Sequence, residues 1–268
     1  MPNPIAHPAA SIPFTRLGLV FSPLVIGSIS PDFGYLVLHF SYFRSLLTPF
    51  FMNTTWGLIL FDVPVAIVLL WLFHTFMKWP LLSLLPESLQ RRLFKQAQGF
   101  SFRPLKRFAL VLLSLLVGSS THVIWDSFTH EQGWTVEHFP VLTFSINGVP
   151  LYTVLQNLGT FLGFSVLIYW TIKWLRTAPQ VDQLPWYFPH NVRRIFFALT
   201  IAALAIAESI IIYPRVVTGS RLVGEHYMMD SIIVSPVLII SFFVGTYCVA
   251  WMIEFNRNTH SVKVSNQY

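Results

Sequence analysis

Leu110–Gly133 reads LVLLSLLVGSSTHVIWDSFTHEQG, and this stretch decides the class of protein. Its first half is uniformly apolar, while its second half carries His122, Asp126 and His130 at steps of four. Each such step turns an α-helix by about 40° and raises it by about 6 Å, so the three side chains form a ladder along one side. Groups that ligate metals or move protons are therefore expected where a membrane helix meets water.

The surrounding composition fits that picture. Hydrophobic residues make up 54% of the 268, charged residues only 10%, and mean hydropathy is +0.61, which argues against an ordinary soluble enzyme. We expect an all-α fold, a polytopic membrane helix bundle of about five transmembrane helices near 55–78, 107–129, 153–175, 193–213 and 231–253. Each run is long enough for about 30 Å of hydrocarbon. Ahead of them, Pro8, Pro13, Pro23 and Pro31 are expected to break the chain into short helices packed at the extracytoplasmic side. The whole reads as one integral-membrane domain: 1–52 the amino-terminal short helices, 53–175 the motif-bearing spans, and 176–268 two generic spans and a tail.

A net charge of +6 raises the question of nucleic acid, but the basic residues lie between apolar runs, so no nucleic-acid partner is expected. Lys78, Arg91, Arg92, Lys95, Arg103, Lys106 and Arg107 sit between the first two spans, and Lys173, Arg176, Arg193 and Arg194 follow the third. Residues 130–152 contain no Lys or Arg. The positive-inside bias therefore puts the carboxyl terminus in the cytoplasm and the amino terminus outside. The amino terminus lacks a basic region ahead of an apolar core and does not read as a cleaved signal peptide. Cys248 stands alone, so neither a disulfide framework nor a cysteine-type zinc site is expected.

This orientation, derived from charge, brings His7, Asp32, His39, His122, Asp126 and His130 to one face. Imidazole nitrogen and carboxylate oxygen are the donors that zinc takes, with one position left for water in a catalytic site. Each residue also has a structural reading: a paired polar contact for the ladder, a helix start for His7, a turn or N-cap carboxylate for Asp32, an interfacial position for His39. Asp62 and Glu208 lie inside apolar spans, where a carboxylate is costly and a function is the default hypothesis. His74 reads as an interface residue, and Glu225, His226 and Asp230 as a second outward cluster or a cap of the fifth span. Trp56, Trp71, Trp125, Trp134 and Trp170 read mostly as interfacial anchors. Ser145-Ile146-Asn147-Gly148 suggests a tight hairpin, with Pro150 favouring an edge or an irregular return. Ser119, Ser120 and Ser127 offer a remote nucleophile alternative beside His122. Walker, dinucleotide and zincin motifs do not occur.

Ala6-His7-Pro8-Ala9-Ala10, Ser30-Pro31-Asp32, Gly57 to Pro64, Ser120 to His130, and Pro150-Leu151-Tyr152 with Leu155-Gln156 together resemble a bacterial membrane family catalogued as domain of unknown function 4184. More distantly, an amino-terminal histidine, a Pro-Asp turn and a Gly-x-x-x-His-x-x-x-Asp helix are similar to zinc-dependent phospholipase C and to membrane-bound metal-dependent hydrolases. The resemblance implies His7, Asp32, His122 and Asp126 as metal ligands, and His130 as a further one. The chain departs from the pattern at Asn53, a poor ligand where related sequences place a histidine. The expected protein is then a zinc-dependent, or other divalent-metal-dependent, membrane hydrolase working among membrane lipids on a phosphoester or lipid-like substrate, with Asp62 or His130 orienting the attacking water. The alternative is a non-enzymatic metal- or proton-binding site in a transport or structural assembly.

Overall fold

The computed structural model describes residues 4–38, 55–182, 184, 199–200, 202, 206, 244–249 and 251–252. They are mostly helical, and their backbone contacts group the chain into two units, Met1–Trp71 with Ser101–Ala178, and Leu72–Phe100 with Pro179–Tyr268. Three helices are long and apolar enough to cross a membrane: Leu58–Leu84, Leu105–Thr129 and Leu151–Thr177. They coincide with the first three expected spans. The expected spans at 193–213 and 231–253 lie mostly outside the described residues, and His39, Asn53, Glu208, Glu225, His226 and Asp230 lie outside them altogether.

In the first unit, a 3₁₀ turn at Pro4–Ala6 leads into the short helix α1 (Pro8–Ser11), with Pro8 at the first helical position, where a missing N–H costs nothing. A second 3₁₀ stretch, Ile12–Leu17, ends at Gly18 in the left-handed conformation, φ 84°. Then comes α2 (Phe21–Leu38), and here the proline-based expectation fails, because Pro31 lies inside one 18-residue helix. Proline removes the N–H that would bond the carbonyl four residues earlier. That carbonyl is Gly27's, and it accepts instead from the Ser30 hydroxyl at 2.9 Å and the Ser119 hydroxyl at 3.0 Å. Serines on the helix itself and on its neighbour thus restore what the ring took away. Pro23 sits in the first turn, where no intrahelical donor is lost.

The neighbour is α5 (Leu105–Thr129), which follows α3 (Leu58–Leu84, α-helical with π turns at Leu58–Asp62 and Phe73–Met77) and α4 (Glu87–Gln98). The α2–α5 contact is the most extensive among the described elements. It is made backbone to backbone: a Cβ on Gly27 would strike the Leu115 carbonyl, and one on Gly118 would strike the Leu24 carbonyl and the Ser28 amide. Small residues permit this approach, which is how apolar helices associate without a hydrophobic driving force between them. Ser114 fastens the seam by accepting from the Val20 N–H at 2.9 Å. Leu24, Val111 and Leu115 are fully buried beside it.

Beyond α5, the short helix α6 (Trp134–His138) and a 3₁₀ turn (Pro140–Thr143) lead to a two-stranded hairpin, β1 (Ser145–Ile146) with β2 (Val149–Pro150), in register Ser145↔Pro150 and Ile146↔Val149. Asn147 and Gly148 both have positive φ, 51° and 82°, as a two-residue hairpin turn of type I′ requires. Pro150 closes the return strand and starts α7 (Leu151–Thr177). Two glycines one turn apart on α7 receive the first unit's other pieces. A Cβ on Gly163 would lie 2.9 Å from Ala6 Cβ, and one on Gly159 the same distance from the Trp125 ring.

In the second unit, Tyr247 and Trp251 form a small core with Trp79, Leu84 and Met252. The Ser83 and Tyr247 hydroxyls bond at 2.7 Å, and the Gln90 amide donates to the carbonyls of Ser83 and Leu85. Arg91 on α4 pairs with Glu87 at 2.7 Å and donates to the Asp182 carbonyl at 2.6 Å.

The α2–α5 seam makes a clear forecast. Gly118→Ala drives a methyl into backbone that cannot step aside, and should lower stability in detergent by about 1–3 kcal/mol. At Gly99 an added Cβ meets nothing nearer than 3.7 Å, so Gly99→Ala should stay within about 0.5 kcal/mol of the parent. Denaturant titration of both variants checks the contrast.

Candidate metal centre

The close α2–α5 approach sets two polar groups against each other. On α5 the steps of four run Ser114, Gly118, His122, Asp126, His130, so the small face that packs on α2 continues directly into the polar ladder. Where the seam ends, the His122 ring meets the Ser28 carbonyl, with Nδ1 at 2.7 Å. A carbonyl only accepts, so Nδ1 carries the hydrogen and donates it. Nε2 then faces the other way, towards Asp126 Oδ2 at 3.1 Å and Asp32 Oδ1 at 3.7 Å. Fixing a histidine tautomer through a backbone carbonyl, with the remaining nitrogen aimed at carboxylates, is a ligand arrangement.

His7 completes the group from the far side. It precedes Pro8 at the α1 start but makes no side-chain cap; its ring stacks on that of His122, centroids 3.9 Å apart, and meets Trp125 edge to face with centroids 5.5 Å apart. Its Nε2 stands 3.6 Å from Asp126 Oδ1. Asp32 is no N-cap either, since it lies within α2 one residue past Pro31. His130 ends α5 as its C-cap, with Nδ1 3.6 Å from Asp126 Oδ1 and 3.2 Å from the Asp126 carbonyl. Asp126 is therefore the hub, within 3.6 Å of three histidines.

Asp62 reaches the same place by a different route. It ends the π turn Leu58–Asp62, which packs on both α2 and α5, and it is fully buried within electrostatic reach of His122 and Asp32. π turns recur at functional sites because the extra residue re-aims a side chain. Seven buried atoms of this group make no hydrogen bond among the described residues: both nitrogens of His7, Oδ2 of Asp32, both oxygens of Asp62, Oδ1 of Asp126 and Nε2 of His130. An orphaned buried polar atom costs about 1–3 kcal/mol, so seven in one group call for a ligand rather than chance.

The donor set fits a metal ion. Donors of His7, His122 and Asp126 all lie within 4.8 Å of one another. Two atoms bonded to one zinc at about 2.0–2.1 Å stand roughly 3.3 Å apart. The pairs at 3.1, 3.6 and 3.7 Å are near that spacing, and those beyond 3.5 Å are too long for hydrogen bonds.

Among the sequence candidates, His7, Asp32, His122, Asp126 and His130 come together, and Asp62 lies beside them. Ser119 and Ser127 direct their hydroxyl groups away from His122. The Ser119 hydroxyl donates to Gly27, and that of Ser127 donates to the Ile124 carbonyl and lies 2.9 Å from the Thr135 hydroxyl. His74 belongs to the other unit, where its ring stacks on Phe100 at 3.6 Å. Two contributors went unread in the sequence. Ser28 acts through its carbonyl, which leaves no side-chain signal, and Trp125 wedges between His7 and Gly159, whereas indole near a span end suggests a lipid anchor.

Three apolar helices of membrane-crossing length and a buried histidine–aspartate cluster at the end of one of them define a helical membrane protein with a polar centre. The chain belongs to the family described as domain of unknown function (DUF4184), which it matches over residues 1–253. No curated protein and no solved structure matches it.

Burial pushes the His7 imidazole down to about 3, with the neighbouring His122 adding to the effect, and burial likewise lowers His130. Asp32 is raised by burial to about 6, His122 opposing. In metal-free protein His7 should remain neutral at pH 5, as nitrogen-15 histidine spectra would show; a charged ring there would refute the buried placement. Because its folded value lies below the ordinary 6.5, the unfolded chain takes up this proton first, and the His7 contribution to stability falls as pH drops from 6.5 towards 3. Asp32 works oppositely, its contribution falling as pH rises from 3.8 to 6.

Proposed function

We propose that this protein is an integral-membrane, metal-dependent hydrolase acting on a phosphoester or lipid-like substrate at the extracytoplasmic face. One observation carries the reading: His122, its Nδ1 committed to the Ser28 carbonyl, turns Nε2 on two carboxylates beside His7, neither of whose ring nitrogens makes a hydrogen bond among the described residues. His7, Asp32, His122 and Asp126 hold the metal, zinc being the ion that suits nitrogen and carboxylate donors. Bound there, such an ion supplies hydroxide near neutral pH and stabilises developing oxyanion charge.

The chain's own residues do the rest. Asp62, buried and with neither carboxylate oxygen hydrogen-bonded among the described residues, orients the attacking water and accepts its proton. His130, at the partly exposed end of α5, passes protons between the site and water. The similarity to the zinc-dependent phospholipase C pattern supports the substrate class. Expected spans at 193–213 and 231–253 complete five crossings and return the carboxyl terminus to the cytoplasm. A second reading, a non-enzymatic metal or proton site within a transport or structural assembly, draws on Asp62, since carboxylates inside apolar helices also mark ion pathways.

Metal analysis of detergent-purified protein separates these readings. Wild type should hold stoichiometric divalent metal, and His122→Ala with Asp126→Ala should lose it; absence of metal from wild type would end the hydrolase reading and leave only a proton site or a structural role. Asp62→Asn should keep the metal and lose at least about a hundredfold in phosphodiester or phospholipid hydrolysis, whereas metal with no turnover in wild type would favour the second. An alkaline phosphatase reporter fused after residue 140 should be active outside the cytoplasm, and an inactive fusion would reverse the orientation.

A further inference from the structure

The segment between α5 and α7 carries a feature the metal centre does not use. From Trp134 to Pro150 it is built rather than loose: α6 is tied to α5 through Ser127 and Thr135, the Gly133 N–H donates to the His130 carbonyl at 2.9 Å, and Thr135, Val136 and Leu142 are buried. Its outward face is nevertheless apolar. Trp134, Phe139, Val141, Phe144, Ile146 and Val149 are each 42–66% exposed within sixteen residues. A solvated connection held by this many hydrogen bonds would carry charge outward, yet 130–152 has no Lys or Arg and only Glu131 and Glu137 as acids. Exposed apolar surface of this density marks an interaction site.

What covers it follows from where it joins. The last turns of α5 expose Ile124 and Phe128, and the early turns of α7 expose Leu158 and Phe161, on helices long and apolar enough to cross a membrane. The patch therefore continues the apolar faces of two candidate spans, with indole and phenyl rings of the kind that gather at the headgroup boundary. We propose that Trp134–Pro150 is a membrane-seated lip, its aromatic and aliphatic side chains inserted at the boundary between headgroups and acyl chains of a phospholipid bilayer. Because the lip begins four residues after His130, it holds that end of the histidine–aspartate cluster at headgroup depth. Taken with the proposed hydrolase, on which this consequence rests, the lip narrows the substrate to an ester in the headgroup of a bilayer lipid that enters sideways.

Spin labelling tests the lip without metal or turnover. Nitroxide is attached to Val141→Cys or Phe144→Cys in a Cys248→Ala background, with Glu131→Cys as the reference, and each variant is reconstituted in phosphatidylethanolamine–phosphatidylglycerol vesicles. Both 141 and 144 should favour collision with molecular oxygen over a water-soluble nickel chelate several-fold more than 131 does. Two positions guard against one variant failing to fold. Chelate access equal to that at 131 would make the segment a solvated cap, and exclusion of both reagents would mean a protein partner or a second copy covers it; either result overturns the proposal. A membrane-seated lip beside a site that holds no metal would sink the hydrolase reading alone.

Discussion

Everything in the first unit depends on two helices touching at their backbones. Gly27 and Gly118 leave no room for a side chain, so α2 and α5 meet at a distance set by main-chain atoms. That distance lets the Ser119 hydroxyl reach the Gly27 carbonyl orphaned by Pro31, and it brings the Ser28 carbonyl to hydrogen-bonding distance of His122. A wider spacing would strand both groups in an apolar interior, where an unpaired polar atom is expensive. The same contact therefore supports the fold and orients the central histidine.

One face of α5 does two jobs in succession. Its small residues, Ser114 and Gly118, provide close packing at depth, and its polar residues, His122, Asp126 and His130, occupy the following turns. Because the repeat of four drifts slowly around the helix, the polar rungs turn away from the seam just enough to face His7 and Asp62 as well as Asp32. Gly163 and Gly159 on α7 complete the enclosure by seating Ala6 and Trp125, and so hold the His7 ring against His122 with the planes 29° apart. The cluster is thus gathered from four chain segments by packing of the smallest side chains, with Asp126 at its middle.

Much of this was legible in advance. Spacing by four announced the ladder, apolar length announced the first three crossings, and Asn147-Gly148 announced its hairpin turn, because each is a local property with its own period or backbone demand. Pro31 misled, since a proline reports only the hydrogen bond it deletes, and of the two replacement donors one came from Ser119, 92 residues after Gly27. Asp62 read as a costly intramembrane carboxylate. The π turn that carries it toward the cluster has no marker in the residues themselves. Ser28 was invisible for a simpler reason: every residue has a carbonyl, and only tertiary contact selects one.

By itself the sequence determined that the chain is helical, apolar enough for a membrane, and equipped with imidazoles and carboxylates at helical spacing on Leu105–Thr129. These follow from side-chain chemistry and periodicity, which act over a few turns. Only the tertiary structure decided which of those groups share one pocket, that His122 presents Nε2 rather than Nδ1, and that His7 lies against it instead of capping a helix. Such outcomes depend on how near two backbones can come, and that limit is set jointly by residues far apart in the chain, so no single stretch contains it.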